Sequence, residues 1–348
     1  MRDLRLHGPI CDLLGCDVPI LSAGMGGVAR SELTAAVSAA GGFGILGMVR
    51  ESPKLIAQEI DAVRAQTTRP FAVNLIPAAT DAALFDAELR VCLDRAVPAM
   101  CFFWDVVPAA VARAKASGCL VLHQIGSLKA AVDAEAAGAD VLIVQGVEAG
   151  GHVHGTVAAL ILVEQVARVV SIPIVASGGF ATGASLIAAM ALGAQGIHCG
   201  TAFLATVESF AHHEHKARII AAMAEDTVYT DAFALNWPPN APVRVLRNSV
   251  TDALGHRLTG HHPDRLPREV IAHDTGKAVL KYSTDSPLRT TTGNLEPMAM
   301  YAGQSAALID TLPTAADRIA AIIAQAGAAL ARLEPNLHSN PRGPNDPW

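Results

Sequence analysis

IPIVASGGFATGASLIAAMALGAQGIHCGT, residues 172–201, contains one complete structural unit. A short apolar run, 172–177, meets paired glycines, Gly178 and Gly179. An alanine-rich segment of helical length follows and ends at Gly193, a residue able to adopt the left-handed conformation that closes a helix. A second short run, 196–201, begins almost at once. Both runs are apolar on both faces, as parallel strands covered by helices should be. The unit reads as strand, crossover helix, strand.

The pattern repeats along the chain. Further strand-length runs lie at 19–24, 42–47, 71–75, 99–104, 119–124 and 141–146, and alanine-rich segments separate them. The joints AAVSAAGGFGILG and AVDAEAAGADVLIVQG also close at a glycine, Gly41 or Gly138. Ser31 is placed to cap the first of the helices. Eight strands, each followed by a crossover, predict an α/β fold, a (β/α)8 barrel over 1–210. A doubly wound sheet would show a point where strand order reverses, and none is marked. Residues 211–335 are expected to form a mostly helical extension, a lid or small subdomain at the barrel mouth. Residues 336–348, rich in proline and asparagine, are expected to be a frayed tail.

Composition narrows the function. The net charge is -6, 17% of residues are charged, and the lysines and arginines are scattered, which excludes an electrostatic footprint for nucleic acid. The N-terminus MRDLRLHGPICDLLG carries charges where an export signal needs its apolar run. No apolar run reaches the roughly 18 residues of a membrane span, and IAAIIAQAGAALA (319–331) reads as a packed helix. A cytoplasmic protein is expected. Its six cysteines, Cys11, Cys16, Cys92, Cys101, Cys119 and Cys199, form no C-x-x-C pair and read as reduced, buried thiols. No metal site is expected. His152 and His154 lack further ligands at a recognisable spacing, and HHEH (212–215) reads as a polar helix start.

A barrel of this kind places its chemistry at the C-terminal ends of its strands. Strands seven and eight end in Ser177, Gly178, Gly179 and in Gly200, Thr201, where exposed backbone N–H groups can hold a phosphate. The plainer reading of the glycines is a tight turn. Asn74, Gln124 and Gln145 end strands three, five and six, and amides suit a heterocycle with alternating C=O and N–H groups. Each could equally tie down a loop. After strand six, QGVEAGGHVHG puts His152 just past Gly150 and Gly151. Histidine suits proton transfer near neutrality, whereas the structural alternative is a loop histidine bonded to backbone. His154 reads as solvent-facing or structural, with a second catalytic group as the alternative.

With these residues in view, PILSAGMGGVARSELTAAVSAAGGFGILG, PFAVNL, QGVEAGGH, the 172–209 segment and YAGQ (301–304) resemble the nitronate monooxygenase family, once called 2-nitropropane dioxygenases. The resemblance covers roughly residues 10–210. It implies a TIM barrel holding FMN, with flavin contacts from Ala23, Gly24, Met25, Asn74, Gln124, Gln145, Gly150 and Gly151. It puts the phosphate on Ser177, Gly178, Gly179, Gly200 and Thr201, with Tyr301 and Gln304 closing the site and His152 catalytic. The family usually has Gln-Ala-Pro-Met where this chain has Ser22-Ala23-Gly24-Met25. The small Ser22 is expected to leave room beside the flavin for bulkier substrates.

The activity implied is FMN-dependent oxidation of alkyl nitronates, or nitroalkanes, by O2 to a carbonyl compound plus nitrite. His152 would act either as a cation holding the anion or as a neutral base. The motifs also occur in NAD(P)H-dependent flavin reductases, of the enoyl-ACP or NADH:quinone type, which is the alternative. The partners are a small-molecule substrate and O2, and a homodimer is compatible with the reading.

Overall fold

The computed structural model describes residues 6–337. Eight parallel strands run in chain order: Ile20–Ser22, Gly44–Gly47, Phe71–Leu75, Ala99–Phe103, Leu120–Ile125, Val141–Gln145, Ile174–Ser177 and Gly196–Cys199. Strand one pairs with strand eight, and a bridge between Leu21 and Phe43 brings it to strand two, so the sheet closes into the expected barrel. Helices Ser31–Ala39, Pro53–Gln66, Ala82–Asp94, Pro108–Ala116, Leu128–Ala136, Ala159–Ala167 and Gly183–Ala191 follow strands one to seven. Gly41, Gly138 and Gly193 take φ of +87°, +100° and +97° at the helix-to-strand joints.

Strand side chains alternate between barrel interior and helix layer. One set, including Leu21, Ile45, Ala72, Cys101, Leu122, Ile143 and Val175, packs inside with Ile10, Cys11 and Leu14 of the helix Pro9–Leu14. That helix therefore closes the N-terminal end, and the opposite end stays open. All six cysteines are buried and unpaired.

The segment after strand eight departs from expectation. It is not mostly helical. Thr227–Thr230 and Val243–Leu246 form an antiparallel sheet with Gly151–His152, and Val270–Asp274, Lys277–Leu280 and Thr291–Gly293 form another. These strands are three to five residues long, too short for their alternation to stand out from the flanking loops. The chain then returns to the barrel. Helix Ala315–Leu337 packs against Gly183–Ala191 and Ser31–Ala39, the place of an eighth ring helix. A Cβ at Gly183 would lie 2.0 Å from the Ala326 nitrogen, so only glycine lets these two helices meet. The extension is thus an insertion within the barrel, and the boundary expected at 210 does not separate it. The frayed tail expected over 336–348 lies, past residue 337, outside the described residues. No described helix is long and apolar enough to cross a membrane.

Candidate active site

Two residues beyond the plugged layer, the same alternation points Ala23, Asn74, Gln124, Gln145 and Ser177 into the open end of the barrel. They line a cavity of about 810 Å³. Gly24, Met25, Gly150, Gly151, His152, Gly178, Gly179, Gly200, Thr201 and Tyr301 line it too. Gln304 does not. It is exposed at the start of a 3-10 turn, and only its backbone N–H is engaged, donating to Glu148 O at 3.1 Å; its neighbour Ser305 faces the cavity instead. Ser22 is also turned away. It is fully buried, and its Oγ accepts from Ile45 N at 3.3 Å, so it leaves no room beside a cavity ligand.

The ends of strands seven and eight form a bare-backbone cradle. Gly178 and Gly179 have consecutive φ of +91° and +82°, where any other residue is strained. Ser177 is engaged elsewhere: its hydroxyl bonds His198 Nδ1 at 2.9 Å. Thr201 Oγ1 accepts from Gly303 N at 3.0 Å and ties the 301–305 segment over the cradle. His198 was not singled out from sequence, although it stands two residues before Gly200 on the inward face of strand eight. Its Nε2 is buried without a protein partner, and burial lowers its pKa to about 4.

The amides divide. Asn74 Nδ2 donates to Gly24 O at 2.9 Å, and its Oδ1 is buried with no partner. Gln145 has both ends engaged, Nε2 donating to His152 O at 2.9 Å and Oε1 accepting from His154 N at 3.2 Å. It holds the histidine loop, which was the structural alternative for these amides. Gly150 also serves a protein contact, since a Cβ there would lie 2.4 Å from Gly303 N. An unpaired acceptor on Asn74, an unpaired ring nitrogen on His198 and a glycine cradle together suit a planar heterocycle carrying a phosphate.

His152 completes the site. Its ring stacks on Trp237 at 3.5 Å and 18°, with Trp104 and Tyr301 at 6.3 and 5.9 Å. Nε2 is buried without a protein partner. Burial, and then the Arg50 charge, lowers the pKa to about 3, so the imidazole is neutral near pH 7. The ring is therefore in the form that can accept a proton and not in the form of a cation, while the same burial lowers its strength as a base. His154 is absent from the lining and lies 4.7 Å from Trp104. The HHEH helix start is as expected: His212 Nδ1 caps the helix His213–Ile220 by accepting from Glu214 N. Its His215 turns inward, and His215 Nε2 bonds Tyr301 O at 3.0 Å. Tyr301 stays neutral because burial raises its pKa, and its hydroxyl donates to Thr284 O at 2.7 Å. Arg50 and Trp237 were missed in the sequence because each reaches the cavity only through the fold.

Comparison with known proteins bears on the family and the fold. Residues 8–87 and 77–325 match the family model "NMO: Nitronate monooxygenase". The (3aS,4S,5R,7aS)-5-hydroxy-7a-methyl-1-oxo-octahydro-1H-indene-4-carboxyl-CoA dehydrogenase of Mycobacterium tuberculosis is 31% identical, over 93% of this chain and 97% of that protein. The nitronate monooxygenase of Paraburkholderia phytofirmans is 31% identical, over 90% and 94%. Among solved structures, FabK from Thermotoga maritima superposes with a TM-score of 0.79 at 31% identity, covering 95% of this chain and 99% of its own. The nitroalkane oxidase of Streptomyces ansochromogenes does so at 0.76 and 29%, covering 94% and 100%.

Proposed function

Since the chain belongs to the nitronate monooxygenase family and is a flavin-dependent oxidoreductase, we propose that it binds FMN and oxidises a nitroalkane or its nitronate with O2, giving a carbonyl compound and nitrite. The observation that carries this reading is a neutral, unpaired His152 Nε2 at the open end of the barrel. A base of this kind can take the α-proton of a carbon acid, which gives the nitronate anion. FMN, when bound, supplies an electron acceptor that O2 can reoxidise.

The chain's own residues would do the rest. Gly178, Gly179, Gly200 and Thr201 would hold the phosphate. Asn74 Oδ1 would accept from the heterocycle edge, with Gln124 beside it. Gln145 fixes the backbone at His152 and His154, on both sides of Val153, and so helps set where the imidazole stands. Trp237 packs over the imidazole and excludes water, which keeps it uncharged.

The same cavity supports a second reading. At about 810 Å³ it lies in the upper part of the 300–1,000 Å³ range of small-molecule sites, room for a flavin and a second sizeable ligand. That favours an NAD(P)H-dependent reductase or an acyl-thioester dehydrogenase, and one relative is named a carboxyl-CoA dehydrogenase. Heat-released flavin run against FMN and FAD standards tests the cofactor. Anaerobic mixing with nitroethane, ethylnitronate, NADH and NADPH separates the two readings. Bleaching by the nitro compounds and not by the nicotinamides is expected; the reverse would establish the reductase.

A further inference from the structure

Arg50 stands where a reaction that generates an anion needs a positive charge. It lines the cavity beside His152, and its guanidinium lies 5.3 Å from the centre of the Trp237 ring that covers that imidazole. Its bonds go to neutral oxygens: Nη1 donates to Asn236 O, and Nη2 to Thr284 Oγ1 at 3.3 Å. Nε is buried without a partner. Of the neighbouring carboxyl groups, Glu88 is buried close to Arg50, and burial pushes its pKa up to about 8, so it is mostly uncharged near pH 7; two others are engaged elsewhere. Glu51 pairs with Arg30 at 2.8 Å, and Asp285 accepts from Asn236 Nδ2 at 3.3 Å. Among the described residues, no carboxylate forms an ion pair with Arg50.

Two further features separate Arg50 from an ordinary surface arginine. Its backbone φ is +59°, a left-handed conformation that glycine or asparagine would adopt more readily. Strain of that kind persists where the surroundings demand the side chain. A half-buried, uncompensated cation is also costly unless something anionic shares the site. The neutral His152 cannot supply charge, so the positive potential at this end of the cavity comes from Arg50.

We propose that Arg50 is the anion-binding residue of the reaction centre, holding the negatively charged oxygens that the substrate carries or acquires when its α-proton leaves. A guanidinium offers parallel donors to a planar group with two oxygens, such as a nitronate or carboxylate. The substrate class follows: a small molecule with a planar anionic group next to the carbon that His152 deprotonates. Trp237 sits against both the base and the cation and fixes their separation.

The proposal deepens the carbon-acid reading above but is tested separately, by binding. Acetate has the planar two-oxygen shape of a small nitronate, and acetamide has the same shape without the charge. The flavin-loaded protein is titrated with each, and the visible flavin spectrum and tryptophan fluorescence are followed. Wild type should bind acetate more tightly than acetamide. Arg50→Gln should weaken acetate at least tenfold and leave acetamide within twofold, while Arg50→Lys recovers part of the loss. Equal acetate binding by wild type and Arg50→Gln, with flavin content and circular dichroism matched, overturns the proposal. So does a parallel loss of acetate and acetamide binding, which would mean that Arg50 only shapes the pocket. Neither outcome depends on whether nitroethane reduces the flavin, so failure here is distinct from failure of the proposed function.

Discussion

Lowering the pH from 7 to 5 should weaken the fold sharply, because four imidazoles are held uncharged in its interior. His123, His198 and His215 have pKa values lowered to about 4, and His152 to about 3, each chiefly by burial. In the unfolded chain each returns to about 6.5. Between roughly pH 6.5 and 4 the unfolded state therefore binds more protons, so stability falls as pH falls through that window and is indifferent to pH above it. A shift from 6.5 to about 4 makes each group about 2 kcal/mol less favourable to folding at pH 5 than at pH 7. Four independent groups give a ceiling of about 8 kcal/mol, comparable to the whole stability of many domains. Two groups act in the opposite sense: the exposed His7, whose pKa is raised, and the buried Glu88, whose pKa of about 8 offsets roughly one imidazole over this range. The assay is urea denaturation followed by tryptophan fluorescence at half-unit steps from pH 7.5 to 5. His123→Gln should remove about a quarter of the imidazoles' share of the pH dependence. A midpoint unchanged between pH 7 and 5 would refute the assignment of buried, neutral imidazoles.

Other consequences are checked more simply. Gly179→Val should lower retention of FMN at least tenfold by equilibrium dialysis, because a branched residue is strained at φ +82° and reshapes the cradle. Unchanged retention would put the phosphate elsewhere. Gly150→Ala should destabilise the protein by about 1–3 kcal/mol, since its Cβ would meet Gly303 N at 2.4 Å; a thermal midpoint equal to wild type would contradict that contact. His154→Asn should leave kcat within a few-fold of wild type, because the ring packs on Trp104 outside the cavity wall. A hundredfold loss would give it a direct role.

The barrel was legible because its signals are local. Each strand is a short, doubly apolar run, and glycines such as Gly41, Gly138 and Gly193 mark where a helix must stop. The same period-two alternation put Asn74, Gln124 and Ser177 at the open end. What escaped depended on distance or on two-sided packing. Arg50 meets Asn236 across 186 residues of chain, and neither MVRE nor ALNWPP marks that meeting. Gln145 and Gly150 looked like ligand contacts, yet one holds its own loop and the other makes room for Gly303. Gln304 failed for a local reason: a tight turn carries its side chain outward and Ser305 inward. The small sheets of the insertion are too short, and too mixed in polarity, to announce themselves.

The central claim is that His152 is a neutral base serving a bound flavin. Its most direct test is anaerobic stopped-flow reduction of that flavin by nitroethane and by preformed ethylnitronate, in wild type and in His152→Asn, from about pH 5 to pH 7. General-base catalysis contributes about 10²–10⁴-fold. The variant should therefore lose that factor with nitroethane and keep most of its rate with the nitronate. The wild-type nitronate rate should show no inflection near pH 6.5, because the imidazole titrates far below that. Equal losses on both substrates, or an inflection near 6.5, would contradict the account.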